Sequence, residues 1–237
     1  MASIFERVIN VIDHFEAYNH IEQIANLSSR VKTIRTETTS RVRKDFEESF
    51  SNPFTKMNVQ HGSDLCRMVD VLDIKVKMDL IKWFLKHELS EYGVLFEENQ
   101  ENSWLDKIDR RYSWIKKSLG EFEEKFGKIF PPHWDMSERL AVEFCETTKK
   151  ELTNVMLKRK LEIDNKLLIF AIQRTANFEQ LLTKRFLGRT ISDPMGFSLA
   201  QQNGETSKIA DDFRPFIGII SQCFDAYFDI YANFTDQ

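Results

Sequence analysis

The chain has 237 residues, of which 42% are hydrophobic and 30% are charged, and its formal net charge is −4. This composition is typical of a folded globular protein and excludes a disordered chain, and the net charge gives no general attraction to nucleic acid. The 8 glycines and 5 prolines are few for this length, which favours long helices over many short strands. The three widely spaced cysteines form no CxxC pair, which indicates a reducing compartment.

No segment of the sequence is typical of a membrane protein. The first 15 residues lack a basic segment followed by an apolar core, so we predict no signal peptide. The longest apolar run, residues 167–172, is far too short to span a bilayer. We therefore expect a cytoplasmic protein.

The amino-terminal part of the chain has two helical patterns. Ser3 and Glu6 have the spacing of a capping box and predict a first helix that ends near residue 20. Apolar residues three and four apart then predict a helix over 21–50, about 30 residues and about 45 Å long. Three shorter helices are predicted after the loop that follows: 63–72 with Ser63 as its cap, 74–96 with Asp73 as its cap, and 103–126.

The longest predicted element covers residues 136–186. Asp135 and Glu138 repeat the capping-box spacing, and neither proline nor glycine occurs from there to residue 186. One uninterrupted helix would then have about 51 residues and a length of about 76 Å. Its apolar stripe repeats at eleven residues, which is typical of a nearly straight helix. We predict an all-α fold, an elongated helical bundle with this very long helix as its spine.

Three domains follow from the break after this helix. Residues 1–187 form the predicted helical-rod bundle, and the polar, glycine-containing stretch 188–212 is a predicted mobile loop. Asp212 caps a predicted last helix, which is apolar nearly all round. We therefore interpret residues 213–237 as the first helix of a following, truncated bundle, with its burial partners outside this chain.

The motifs that would carry chemistry are missing from the sequence. The string HELSE at 87–91 has Glu91 where a zinc-binding helix needs its second histidine. Neither a glycine-rich phosphate loop nor a GxSxG elbow occurs, and most carboxylates alternate with lysine and arginine as on a solvated helix face. We predict no catalytic, metal-binding or cofactor-binding residue and no cofactor.

One basic stretch is a candidate contact for an anionic membrane surface, because each cation close to the lipid contributes about 1 kcal/mol to the binding free energy. An ordinary solvated helix face explains the same residues. The stretch contains one acid, Glu37, among its cations: Arg30, Lys32, Arg35, Arg41, Arg43 and Lys44.

Arg174 interrupts an apolar stripe. It lies four residues from both Phe170 and Phe178, so the three share a helix face. Its charge either extends outward to water or meets a carboxylate. We predict a structural ion pair in which Asp106 or Asp109 accepts a bidentate contact from Arg174 and fixes the helix register.

Four long strings of the chain carry a family resemblance: HELSEYGVLFEENQENSWLDKIDRRYSWIKKSLGEFEEKFGKIFPPHW, ERLAVEFCETTKKEL, KLLIFAIQRTANFEQLLTKRF and PFIGIISQCFDAYFDIY. They are similar to the family of vacuolar protein sorting-associated protein 53. Members of this family are subunits of the Golgi-associated retrograde protein complex and of the related endosome-associated recycling protein complex. The similarity covers essentially the whole chain.

The resemblance implies a non-enzymatic role. The family's complexes are vesicle tethers built of helical rods, which dock endosome-derived vesicles at the trans-Golgi network and assist SNARE assembly. Family members are much longer than this chain, so we expect an internal fragment that acts as a scaffold segment. The implied partners are the other subunits of the tether, with peripheral attachment to trans-Golgi network and endosome membranes.

Three other functions stay open at this point. The basic stretch makes the chain a candidate lipid-binding module. A helical bundle also serves as a docking platform for a SNARE or a small GTPase. The third alternative is a helical enzyme of a type that the motifs do not reveal.

Overall fold

A computed structural model describes residues 21–51, 58–195 and 214–227, together with five positions between 7 and 14. Over these ranges every regular element is helical and no strand occurs, which confirms the all-α prediction. The eight α-helices of these ranges are α1 Glu22–Ser51, α2 Val59–Asp70, α3 Ile74–Glu88, α4 Ser90–Leu95, α5 Ile108–Phe126, α6 Met136–Lys158, α7 Asn165–Arg185 and α8 Arg189–Ser192.

Short 3-10 helices connect several of these elements. Most of the predicted first helix and residues 196–212 of the predicted loop lie outside the described residues. The predicted domain boundaries stay a prediction.

The 3-10 helices that the structure describes are Glu101–Ser103, Leu105–Lys107, Pro132–Trp134, Lys160–Glu162 and Ser221–Tyr227.

The chain forms two compact units, and the first contains the described residues up to His87 together with Phe126–Pro131. Its core is aromatic: the ring of Phe50 lies 5.3 Å from that of Phe84 and 5.1 Å from that of Phe130. The helix predicted over 21–50 is confirmed as α1, which has 30 residues. Its last three turns supply the buried Phe50 and its neighbours Val42 and Phe46.

Of the two N-caps predicted for the short helices, one is confirmed and the other is wrong. Asp73 was predicted to cap α3, and its Oδ1 accepts a hydrogen bond from the backbone N–H of Lys75 at 2.8 Å. The cap predicted at Ser63 is wrong, because α2 begins four residues earlier. Asn58 takes that role, since its Oδ1 accepts hydrogen bonds from the N–H groups of Gln60 and His61.

The second unit contains Glu88–Lys125 and the described residues from Pro132 onward. Here the single helix predicted over 136–186 is corrected, because the chain breaks it into α6 and α7, of 23 and 21 residues. Arg159 leaves the helical conformation and pairs with Glu162. Asp164 then starts α7 by accepting a hydrogen bond from the N–H of Leu167 at 2.8 Å. The chain thus leaves the helix at Lys158 and starts a new one at an aspartate cap, without any proline or glycine.

The start of α6 also differs from the prediction. Asp135 has a positive φ of 46°, and its side chain makes no capping hydrogen bond. Glu138 is turned inward, where it binds a different segment of the chain. The capping box predicted for this pair is therefore wrong.

The helix predicted after Asp212 is not formed over the described residues 214–227. Turns occupy 214–220, with Gly218 at a φ of 92°, and a 3-10 helix follows. This segment packs on α6 and α7. The chain itself therefore covers its apolar side chains, and the partner expected for them is not needed over these residues: Phe216, Ile220, Cys223, Phe224 and Tyr227 are buried.

Candidate functional site

Arg174 lies beside one of its two predicted partners. Its Nε is 3.3 Å from Oδ2 of Asp109, and the side chains are 51% and 52% exposed. Asp106 instead pairs with Lys107, at 3.2 Å. An ion pair this exposed contributes about 0–1 kcal/mol, so the register role stays a prediction.

The buried face of α7 explains why this pair is exposed. That face is displaced by one residue from the predicted stripe of Phe170, Arg174 and Phe178, of which Phe178 alone is buried. The guanidinium of Arg174 lies 5.3 Å from the ring centroid of Phe170, at the edge of the core. The residues that α7 does bury are Leu168, Ala171, Thr175, Phe178, Glu179 and Leu182.

The six predicted basic residues of α1 fall into two groups. Arg43 lies 3.9 Å from Glu47 and 3.7 Å from Asp79, and Lys44 lies 3.6 Å from Glu48. Within the part of the chain that the structure describes, the other four make no ion pair: Arg30, Lys32, Arg35 and Arg41.

The charged residue that organises the second unit is Arg111 of α5, which the sequence analysis did not single out. Its side chain is fully buried. Nη1 donates to the hydroxyl of Tyr92 at 2.7 Å and to Oε2 of Glu151 at 2.6 Å. Nη2 donates to the backbone carbonyls of Phe96 and Ser103, both at 3.2 Å. One guanidinium thus joins α4, the 3-10 turn after it, α5 and α6.

The surroundings of Arg111 extend the cluster. The guanidinium carbon lies 4.8 Å from the ring centroid of Phe96, within the range of a cation–π contact. The Tyr92 hydroxyl is 2.7 Å from the hydroxyl of Thr148. Burial raises the pKa of Tyr92 to about 12, although Arg111 acts in the opposite direction. Burial also raises the pKa of the Glu151 carboxyl, against the hydrogen bond from Arg111.

The spacing of the apolar residues along α5 indicates that Arg111 lies on the buried face of this helix. Ile108, Ile115 and Leu119 are buried on one face of the helix. Arg111 lies three residues after the first and four before the second, so it belongs to that face. An arginine in that position needs carboxylate and carbonyl partners, and their identity depends on which helices pack against α5.

Two glutamates on the central helices bind backbone groups far along the chain. Glu138 of α6 is 5% exposed. Its Oε2 accepts a hydrogen bond from the N–H of Gly188 at 3.0 Å, and its Oε1 accepts from the N–H and hydroxyl of Thr190 at 2.6 and 2.7 Å. The carboxylate therefore caps the short helix α8 in place of a local side chain.

Glu179 of α7 makes the same kind of contact with the carboxy-terminal segment, and it is 1% exposed. Its Oε1 accepts hydrogen bonds from the N–H groups of Ile220 and Ser221, at 2.7 and 2.9 Å. Its Oε2 accepts from the N–H of Gly218 at 3.0 Å and from the Ser221 hydroxyl at 2.9 Å. Four donors thus satisfy this buried carboxylate.

The three thiols in the two cores are held in an unreactive, protonated state. Burial raises the pKa of the thiols of Cys66 and Cys223 to about 12, and it raises that of Cys145 well above its usual value. Thiols in such surroundings stay protonated near neutral pH and are poor nucleophiles. The two inward glutamates already accept several hydrogen bonds each. The cores therefore use these groups for packing and for joining segments.

Two further findings concern the described ranges only. Within them, no group of three or more histidine, cysteine, aspartate or glutamate side chains is arranged to hold a metal ion. Within the same ranges, every helix is too short or too polar to pass through a bilayer.

Comparisons with known proteins agree with one another. A family profile described as "Vps53, N-terminal" matches residues 1–237. The chain is 40% identical over 180 residues to a Caenorhabditis elegans vacuolar protein sorting-associated protein 53 homolog, a match that covers 76% of this chain and 22% of that protein. It is 34% identical over 189 residues to vacuolar protein sorting-associated protein 53 A of Arabidopsis thaliana, covering 79% of this chain and 23% of that protein.

A more distant relative extends the match. The protein of the same name in Saccharomyces cerevisiae is 25% identical over 231 residues, which cover 94% of this chain and 25% of that protein. The chain thus spans about a quarter of the length of these relatives. No solved structure matches the chain.

Proposed function

The chain belongs to the family of vacuolar protein sorting-associated protein 53, and on that premise we propose that it is a non-enzymatic scaffold segment in vesicle-mediated protein sorting. The family match over residues 1–237 is the observation that carries the proposal. The names of the relatives describe protein sorting, and a helical chain of this kind contributes to sorting by holding other components in place.

The buried polar contacts support this role. Arg111, Glu138 and Glu179 each join segments that lie far apart in the sequence, over separations of 40, 52 and 42 residues. Buried, hydrogen-bonded polar groups fix the relative positions of helices more strictly than apolar packing alone, and of these three side chains only Arg111 has a buried atom without a partner among the described residues, its Nε. A scaffold needs this property, since its binding surfaces must keep a fixed geometry while they carry load.

At a finer level, we propose that the scaffold belongs to the Golgi-associated retrograde protein complex or to the endosome-associated recycling protein complex. In this proposal its partners are the other subunits of the complex. It reaches trans-Golgi network and endosome membranes as a peripheral component, and it serves retrograde transport and endosomal recycling. The elongated rod also stays a prediction.

The test is direct association with the other subunits. The 237-residue chain is mixed with each purified subunit of the two complexes, and association is measured by size-exclusion chromatography with light scattering. We expect a stable complex with at least one subunit. Failure to bind any subunit would contradict the scaffold role, and so would a saturable rise in melting temperature on addition of a nucleotide or a divalent metal. Binding to a SNARE or a small GTPase alone would replace this role with a docking role.

A further inference from the structure

The two halves of α1 differ in how they use the same apolar stripe. In the carboxy-terminal half, Val42, Phe46 and Phe50 are buried in the first unit. In the amino-terminal half, Leu27 and Ile34 are 54% and 50% exposed. The residues between them on the stripe, Ile24 and Val31, are half-buried. About three turns of this helix therefore present aliphatic side chains to solvent, which is unusual for a contiguous surface.

Positive charge flanks this exposed stripe. Residues 23–36 contain three cations and no acid. Successive helical residues turn by about 100°, so Arg30 and Arg41 lie along one edge of the stripe. Arg35 lies along the other edge and is half-buried, and Lys32 lies about 120° from the middle of the stripe. None of these four cations makes an ion pair with a described residue. Ser29, Thr33 and Thr36 are exposed on the opposite face, whereas Ser28 is buried.

The exposed stripe is poorly suited to packing against a second helix in a coiled coil. The seam of Ile24, Leu27, Val31 and Ile34 has heptad spacing, but the next two seam positions are Thr38 and Arg41. Two heptads are fewer than the three or four that define a coiled coil. In a parallel pair of copies, Arg30 would also face Arg35 of the other copy, and the two like charges would repel each other.

We propose that the amino-terminal half of α1, residues 23–41, binds an anionic lipid surface. Leu27 and Ile34 insert at the level of the acyl chains, while Arg30 and Arg41 contact lipid phosphates. An exposed aliphatic stripe with cations along its edge and a polar opposite face is the pattern of helices that lie in the membrane interface. Anionic headgroups supply the charge that the flanking cations lack within the chain. This inference goes beyond the scaffold role and does not depend on it.

Co-sedimentation with vesicles tests the proposal. The 237-residue chain is mixed with vesicles of phosphatidylcholine alone and with vesicles that also contain phosphatidylserine. We expect binding to the second kind, and binding that falls as salt is added. The double variant R30E/R41E should bind these vesicles about tenfold more weakly, because two attractive charges become repulsive. The double variant L27S/I34S should weaken vesicle binding by a similar factor, because it removes the inserted aliphatic side chains.

Two control variants make the same chemical changes elsewhere. K117E/K158E changes the net charge equally at side chains that are 77% and 63% exposed. L157S/L161S removes two leucines that are 69% and 102% exposed. Both controls should bind vesicles like the unmodified chain. The proposal is overturned if the unmodified chain does not bind, or if the controls lose binding as strongly as the stripe variants. It is also overturned if the stripe variants only dissociate a dimer or a protein complex and leave lipid binding unchanged.

Discussion

At the scale of single residues, three buried charged side chains determine how the second unit is held together. Arg111, Glu138 and Glu179 are each at most 5% exposed, and each binds groups from at least one distant segment. Burying a charge costs free energy unless its partners are close and well placed. Removing one partner should therefore cost more here than at any of the exposed ion pairs on the helix faces.

Replacement of Arg111 by methionine tests this argument. Arg111→Met keeps the volume but leaves Glu151, the Tyr92 hydroxyl and two backbone carbonyls without their donor. We expect the free energy of unfolding to fall by about 3 kcal/mol. Urea unfolding followed by circular dichroism measures it. The matched control is Arg110→Met, one residue earlier on the exposed face, which should change stability by less than about 0.5 kcal/mol. Equal effects of the two substitutions would show that Arg111 has no special role.

Glu179 allows a substitution of nearly the same shape. In Glu179→Gln the amide nitrogen replaces one carboxylate oxygen, so at least one pair of donors, at Gly218 and Ser221 or at Ile220 and Ser221, faces another donor. We expect a loss of about 1–3 kcal/mol, the cost of leaving buried donors unsatisfied. The measurement is again urea unfolding, with Glu124→Gln on an exposed face of α5 as the control. Faster amide exchange at 218–221 in Glu179→Gln, with little change elsewhere, would assign the loss to these contacts. Unchanged exchange there would contradict the assignment.

At the scale of elements, periodicity predicted the helices well and their ends less well. The helix α1 was predicted almost to the residue, because apolar residues recur three and four apart along it, with Thr38 in the one gap, and proline follows it. The single helix over 136–186 was wrong, since the search for breaks relied on glycine and proline. The break depends on Asp164, whose capping hydrogen bond competes with helix continuation. An aspartate–asparagine pair after a basic run was the signal available in the sequence.

The contacts of the candidate sites, too, could be predicted from the sequence only in part. The contact between Arg174 and Asp109 could be anticipated, because both positions follow from helical spacing on two neighbouring elements. The partners of Glu138 and Glu179 could not, because they are backbone groups of segments whose path depends on the packed structure. No local pattern marks a backbone N–H as the partner of a distant carboxylate. Glu179 itself lies four residues after Thr175 on the buried face, so its burial alone was predictable.

The cap at Asp164 gives a prediction for the connection between α6 and α7. Asp164→Ala removes the hydrogen bond to the N–H of Leu167 and should reduce the free energy of unfolding by about 1 kcal/mol. Asp164→Asn keeps an acceptor oxygen and should recover most of the loss. Chemical unfolding of the two variants under identical conditions measures the difference. If Asp164→Ala is as stable as the unmodified chain, another feature ends α6.

At the scale of the whole molecule, the chain forms two compact units with separate cores. The first is centred on the rings of Phe50, Phe84 and Phe130, and the second contains Arg111 and the two inward glutamates. Each unit includes two separate stretches of sequence, because residues 126–131 belong with the first unit although residues 88–125 belong with the second. A contact within one unit should therefore stabilise that unit more than the other.

Hydrogen exchange tests whether the two units are independent. Phe84→Ala removes a fully buried ring from the first unit and should cost about 3–5 kcal/mol there. Phe144→Ala makes the same change in the second unit, where the ring of Phe144 lies 4.9 Å from that of Tyr92. Because local opening reports the stability of each cooperative unit, each variant should speed amide exchange mainly in its own unit. Mass spectrometry of peptides from 59–87 and 140–185 separates the two responses. If either variant speeds amide exchange equally in the peptides of both units, the chain unfolds as one cooperative unit. The two units would then differ in packing but not in stability.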